Sequence, residues 1–401
     1  MPKESAGILR AYRALFRALQ AYSRSGLPLT GLRSDALHRT PLLLPDLDTI
    51  GALRRIFRQT DVKFNSQAAD SALARLRGQQ RDLLAAAGED DVLSQVLGQL
   101  AYAQEQAAKP VAPSEPGAPP TGPADAWSRQ VEAGLSALFR STELPLDDPV
   151  FRMDPEGHEA AARVMEADSA LPARLDHMAA ESQRMAGAGD VEAEHVVAAL
   201  WEVGGVRCVP HEWLYERLSP LHLHLALPSR KGMPFSLAVA TALVARRCGL
   251  HAVPLTGSLM QGAIFEQPAP GVDPTEASQA RRRAAAQVLV ADRWVVRVAR
   301  PHAKEPAAYV DVFGRGGVVG ADEAARLLFG SVEAARLTGL APGGAEEILA
   351  VDMPAGRLWA YAAGQIVQCY QRCGMADDVA RWLYVKLALD PAAEEWSLVC
   401  G

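Results

Sequence analysis

Along the first hundred residues, apolar side chains recur every three to four positions, the spacing of amphipathic helices. It predicts helices near residues 4–23, 48–59, 65–87 and 90–108, with Asp48 and Asn65 as N-caps of the second and third. Wound at about 100° per residue, the first helix gathers Ile8, Tyr12, Leu15, Leu19 and Tyr22 on one side. Arg10, Arg13, Arg17 and Arg24 fall on the other. The stretch "SGLPLTGLRSDALHRTPLLLP" is too rich in Pro and Gly to prolong that helix.

"KPVAPSEPGAPPTGPAD", residues 109–125, has little to bury and reads as a linker. Beyond it the helical period returns near 126–140, 156–187 and 190–203. Another helix opens at Pro234 and ends at "RRCG", with Gly249 closing it. The period then changes. "QVLVADRWVVRVA" (287–299) and "AAYVDVF" (307–313) alternate or run apolar with β-branched residues, predicting two strands that pair antiparallel. Residues 266–283 read as a surface insertion, and 355–391 as two helices turning at Gly374. The expected class is α+β and predominantly helical. The expected domains are 1–108, the linker 109–125, 126–350 and a helical tail 351–401.

Charge divides the chain along the same line. Residues 1–84 hold fourteen Lys and Arg against seven Asp and Glu, +7 within a total of −6, which leaves −13 for the rest. A basic module of this kind expects an acidic partner. The Arg-rich, acid-poor start suits mitochondrial import, and we read it as a retained helix that doubles as an address to the matrix. The longest apolar stretch, "MPFSLAVATALVA", is too short to cross a bilayer, so no membrane span is expected. Five scattered cysteines fit a reducing compartment.

"LRAYRALFRALQAY" followed by "IGALRRIFRQTDVKF" resembles the LYR-motif (complex 1 LYR-like) family of small mitochondrial proteins, over residues 1–108. Tyr12–Arg13 stands for the motif's Tyr-Arg, Arg17 lies one turn on, and Ala11 replaces the leucine. Arg54, Arg55, Phe57 and Arg58 match the family's second basic segment. The resemblance implies a three-helix bundle that docks mitochondrial acyl carrier protein through Arg10, Tyr12, Arg13, Arg17, Arg54, Arg55, Phe57 and Arg58. The acylated 4'-phosphopantetheine would then come from that partner, with no cofactor bound by the chain itself. Arginine forks suit both carboxylates and phosphates, and a cationic stripe speeds encounter with an acidic surface.

"RKGMPFSLAVATALVARRCGLHAVPLTGS" resembles the transglutaminase-like core of bacterial SirB-type proteins, through Gly232, Pro234, Ser236, Arg246, Arg247 and Gly249. "YVDVF" supplies Tyr309, Asp311 and Phe313, and the helices ending "LALDP" resemble the tetratricopeptide-like tail of such proteins. The likeness spans about residues 140–391 and implies an α+β domain with a C-terminal helical hairpin. Catalysis on that fold needs a thiol at a helix N-terminus, an imidazole and an orienting acid. Here Ser236 holds the first place, Ser258 the second, and only Asp311 matches. Cys248 lies at the wrong end of its helix. A serine without a base is a poor nucleophile at neutral pH, so the expectation is a pseudoenzyme with no catalytic residues.

Other candidates reduce to structure. His222 and His224 alternate as on one face of a strand, but a metal site needs further ligands, and ordinary packing or surface is the reading. Cys369 and Cys373 read as small apolar residues. "FGRGGVVG" (313–320) lacks the Gly-Lys-Ser/Thr of a phosphate-binding loop and reads as a turn. Arg281–Arg283 are too few for specific nucleic-acid binding but enough for a phosphate contact, and no nucleic-acid contact is predicted. The function expected is a non-catalytic mitochondrial scaffold, an accessory subunit or assembly factor of a respiratory complex or the mitochondrial ribosome. The alternatives are a hydrolase or transferase of the transglutaminase-like fold, and an adaptor without acyl carrier protein.

Overall fold

The computed structural model describes residues 93, 95–100, 102, 125–142, 170–209, 221–257, 259, 293–301, 306–313, 316–330 and 345–389. The chain divides into two compact units. One is Ala107–Phe265 with Ala269–Met353. The other is Met1–Gln106, Glu266–Pro268 and Pro354–Gly401. The described residues form mixed helix and sheet, mostly helix, with one small antiparallel sheet. Among them no helix is long and apolar enough to cross a membrane.

In the first unit, α1 (Ala126–Ser141) starts where the Pro-rich stretch ends. Asp125 caps it by accepting the backbone N–H of Ser128 at 2.7 Å. Val131, Leu135 and Leu138 form its buried stripe. Helices α2 (Ala170–Ala186) and α3 (Ala193–Val197) follow. The predicted helix 190–203 is therefore shorter at its start, and its last turn, Ala198–Val203, is π-helical.

The core is built around α5 (Pro234–Arg247), all of whose residues are buried. Proline at the first helical position forfeits an N–H that has no partner there in any helix. The helix closes at Gly249 (φ 82), as the sequence predicts. One side lies on strands β3 (His251–Thr256) and β4 (Trp294–Ala299), the other on α2. A helix covered on two sides needs an apolar surface almost all round, which "FSLAVATALVA" supplies. Each fully buried Val, Leu or Phe there contributes about 1.5–3 kcal/mol of transfer free energy. Phe235 meets Trp294 edge-on at 5.3 Å, tying helix to sheet.

The sheet runs β3–β4–β5–β6, antiparallel throughout, with β5 (Ala308–Asp311) and β6 (Gly317–Val319) completing it. Thr256 pairs with Trp294 and Val295 with Asp311. The two strands expected from the alternation are β4 and β5. Strand β6 corrects the reading of 313–320 as a turn alone, because Gly317–Val319 pairs with Tyr309–Asp311. A short parallel ribbon, β1 (Arg207–Cys208) with β2 (Lys231–Gly232), flanks the start of α5.

A second correction concerns His222 and His224. They lie on no strand: His222 is the N-cap of α4 (Leu223–Ser229), and His224 is in its first turn. The Leu-His alternation mimics a strand because this helix is buried over Leu223–Leu227 rather than on one stripe. Helices α6 (Ala321–Phe329) and α7 (Ala345–Leu349) end the unit.

In the other unit, residues 95–100 are helical, with Leu93, Val96, Leu97 and Leu100 buried at helical spacing. Helices α8 (Ala355–Arg372) and α9 (Ala376–Leu389) pack against each other as a hairpin that turns at Gly374. These are the two helices that the period predicts over 355–391, with the turn at Gly374.

Candidate functional site

The place to look for chemistry is the start of α5, where a transglutaminase-like reading puts the nucleophile. Ser236 sits in the first turn, fully buried, and its hydroxyl donates to the carbonyl of Leu221. The proton that a general base would have to remove is thus held by a backbone acceptor. Asp311, at the end of β5, accepts the backbone N–H of Phe313 at 3.0 Å and shapes its own chain turn. No hydrogen bond joins Ser236 to Asp311. Ser258 lies outside the described residues, as do Arg10, Tyr12, Arg13, Arg17, Arg54, Arg55, Phe57 and Arg58.

The thiols of this unit are poorly placed for nucleophilic work. Cys208 stands on β1, level with Gly232. Burial, and secondly the charge of Asp311, push its thiol up to about 11. Cys248, at the far end of α5, is also pushed up to about 11, chiefly by burial. A thiol that titrates this high is almost wholly protonated at neutral pH.

The paired arginines at the end of α5 have a clear use. Arg246 bonds the N-cap carboxylate Asp125, donates from Nε to Ala252 O at 2.6 Å, and lies 4.2 Å above the Trp127 ring. Arg247 pairs with Glu132 of α1 and Asp176 of α2, both at 2.8 Å. Two adjacent side chains thereby fasten α1, α2 and β3 to the end of the central helix. The carboxylates feel this differently. Burial would raise Asp125, yet the Ser128 backbone N–H and the Arg246 guanidinium outweigh it, and its pKa is lowered. Glu132 is buried more deeply, and burial raises its pKa despite the opposing pull of Arg247.

A feature absent from the sequence reading lies where α1 meets α4. Phe139 stacks on His224 at 4.5 Å and meets His222 edge-on at 5.2 Å. Each imidazole contacts a hydroxyl of the α1 segment: Ser136 Oγ lies 3.1 Å from His224 Nε2, and Thr142 Oγ1 lies 2.9 Å from His222 Nε2. Burial, and secondly the charge of His224, drive His222 down to about 3, so it is neutral at physiological pH. These contacts join residues 88 and 80 positions apart, and no local motif announces them. Among the described residues, no three His, Cys, Asp or Glu side chains gather as metal ligands. The chain matches no protein-family model, no curated protein and no solved structure.

Proposed function

We propose that the chain is a non-catalytic scaffold of the mitochondrial matrix, an accessory subunit or assembly factor of a respiratory complex or the mitochondrial ribosome. Its basic N-terminal helices hold acylated acyl carrier protein, and its second unit offers surface to the larger assembly. The observation that carries the non-catalytic half is Ser236, fully buried and bonded to the Leu221 carbonyl where a nucleophile would stand. The carrier-protein half is supported by the sequence: the stripe Arg10, Arg13, Arg17 and Arg24 within a segment of net charge +7.

The test is purification of the tagged full chain from mitochondria at low salt, with intact-mass detection of phosphopantetheine on co-purifying proteins. Native chain brings down an acylated carrier protein, and the double reversal Arg13→Glu with Arg17→Glu loses it while α1–α7 keep their fold. Retention of every partner by the reversed chain refutes the docking surface.

One observation favours a second reading, a hydrolase: Ser136 and His224 already lie within hydrogen-bond distance. A fluorophosphonate separates the two. An adduct on Ser136 that disappears in His224→Ala supports the enzyme, and an unlabelled chain supports the scaffold.

A further inference from the structure

We infer that the face carrying Arg207 and Arg230, beside the β1–β2 ribbon, binds a phosphate group. Arg207 Nη1 donates to the carbonyls of Trp201 and Val206, each at 2.8 Å, so its guanidinium is fixed against the turn that follows the π-helical stretch. Arg230 lies opposite, and its carbonyl accepts the backbone N–H of Arg207 at 2.9 Å. It adopts left-handed backbone (φ 60, ψ 21), a conformation unfavourable to any residue with a Cβ, and no other described non-glycine residue has positive φ. Its side chain lies over Gly205: a Cβ placed there would stand 3.4 Å from Arg230 Cδ and 3.5 Å from Nη1. Both guanidinium groups therefore rest against the same short stretch, Gly205–Arg207.

Counter-charge is what this pair lacks. Arg246, Arg247, Arg297 and Arg300 all end on carboxylates. Among the described residues, neither Arg207 nor Arg230 has a carboxylate partner, and the exposed Glu202 on the same turn pairs with neither. Carbonyl acceptors orient a guanidinium without neutralising it. Two exposed guanidinium groups, one positioned by backbone carbonyls and the other by a left-handed backbone that lays it over Gly205, are matched by a dianion with several acceptor oxygens. The inference does not depend on the scaffold reading.

The experiment is calorimetric titration of the full chain with inorganic phosphate and with glycerol phosphate, at ionic strength held by chloride. A parallel arm uses phosphatidylcholine vesicles with and without phosphatidic acid. Saturable binding of the soluble anions assigns the site to a soluble phosphate, whereas binding confined to phosphatidic acid vesicles assigns it to a lipid headgroup. In either case Arg207→Gln and Arg230→Gly each weaken binding about tenfold or more. Glycine suits the backbone at position 230, so Arg230→Gly keeps or raises the thermal midpoint without phosphate, and its loss of binding is not a loss of fold. The inference is overturned if no phosphate probe binds saturably, or if binding is unchanged in either variant.

Discussion

Acidification from pH 7 to pH 5 tests the imidazole cluster between α1 and α4. His222 is buried against Phe139 and bonded to Thr142, and burial brings it from the ordinary imidazole value of about 6.5 down to about 3. Its folded-state pKa is depressed, so the unfolded chain takes up the proton first. The stability that it contributes is fully present above about pH 6.5 and is lost as pH falls toward 3. Each pH unit inside that window removes about 1.4 kcal/mol, so about 2 kcal/mol is gone at pH 5. Across the whole window the loss approaches about 5 kcal/mol, comparable to the entire stability of many domains. The assay is urea unfolding at pH 7 and pH 5 for the native chain and for His222→Gln, which gives Thr142 a polar partner that does not titrate. His251 and Glu132 have shifted pKa values as well, but they are common to both proteins and cancel in the difference. The native chain is expected to lose about 2 kcal/mol more than the variant between the two pH values. Equal losses would show that His222 exchanges protons freely in the fold, and the packing argument would be wrong.

The arginine pair gives a second prediction. Arg247→Ala strands the buried carboxylate of Glu132 and should cost about 3–5 kcal/mol, while the double variant Arg247→Met with Glu132→Gln should recover most of it, as read by urea unfolding. A third concerns Gly316, whose φ is 75 and where a Cβ would stand 2.8 Å from Val197 Cγ1 and 2.9 Å from Trp201 Cδ2. Gly316→Ala combines backbone strain with a clash against a buried ring, and thermal unfolding should show a loss of about 2 kcal/mol or more.

What the sequence makes legible here is what its local chemistry enforces. Pro234 and Gly249 mark the ends of α5, because one lacks an N–H and the other tolerates left-handed backbone. "RWVVRVA" and "AYVDV" become β4 and β5 because β-branched runs fit a pleated, half-buried surface. Reading by period fails where burial is not one-sided, as at His222–His224. The candidate site divides in the same way. That Ser236 stands in the first turn of a helix follows from Pro234 beside it. That its hydroxyl is occupied by Leu221 O, fifteen residues back, is a fact of tertiary structure. The Ser136–His224 contact and the fixing of Arg207 and Arg230 around Gly205 also come from packing between elements, which a single sequence does not print.

The Arg-Arg-x-Gly segment also bears on how the unit of Ala107–Phe265 and Ala269–Met353 is held together. Trp127 Nε1, in the first turn of α1, donates at 2.6 Å to the carbonyl of Met353, the last residue of the unit. Asp125 is held by Arg246, and Asp352 by Arg297, which also donates to Leu349 O at 2.9 Å. The Asp352 pair is too exposed to matter much for stability. The Trp127 bond and the Arg246 clamp are at least half-buried, and they tie the start of α1 to Met353 and to the end of α5. The arginine that reads in the sequence as a family resemblance thus has a physical task independent of catalysis. It anchors the start of α1 to the end of the central helix.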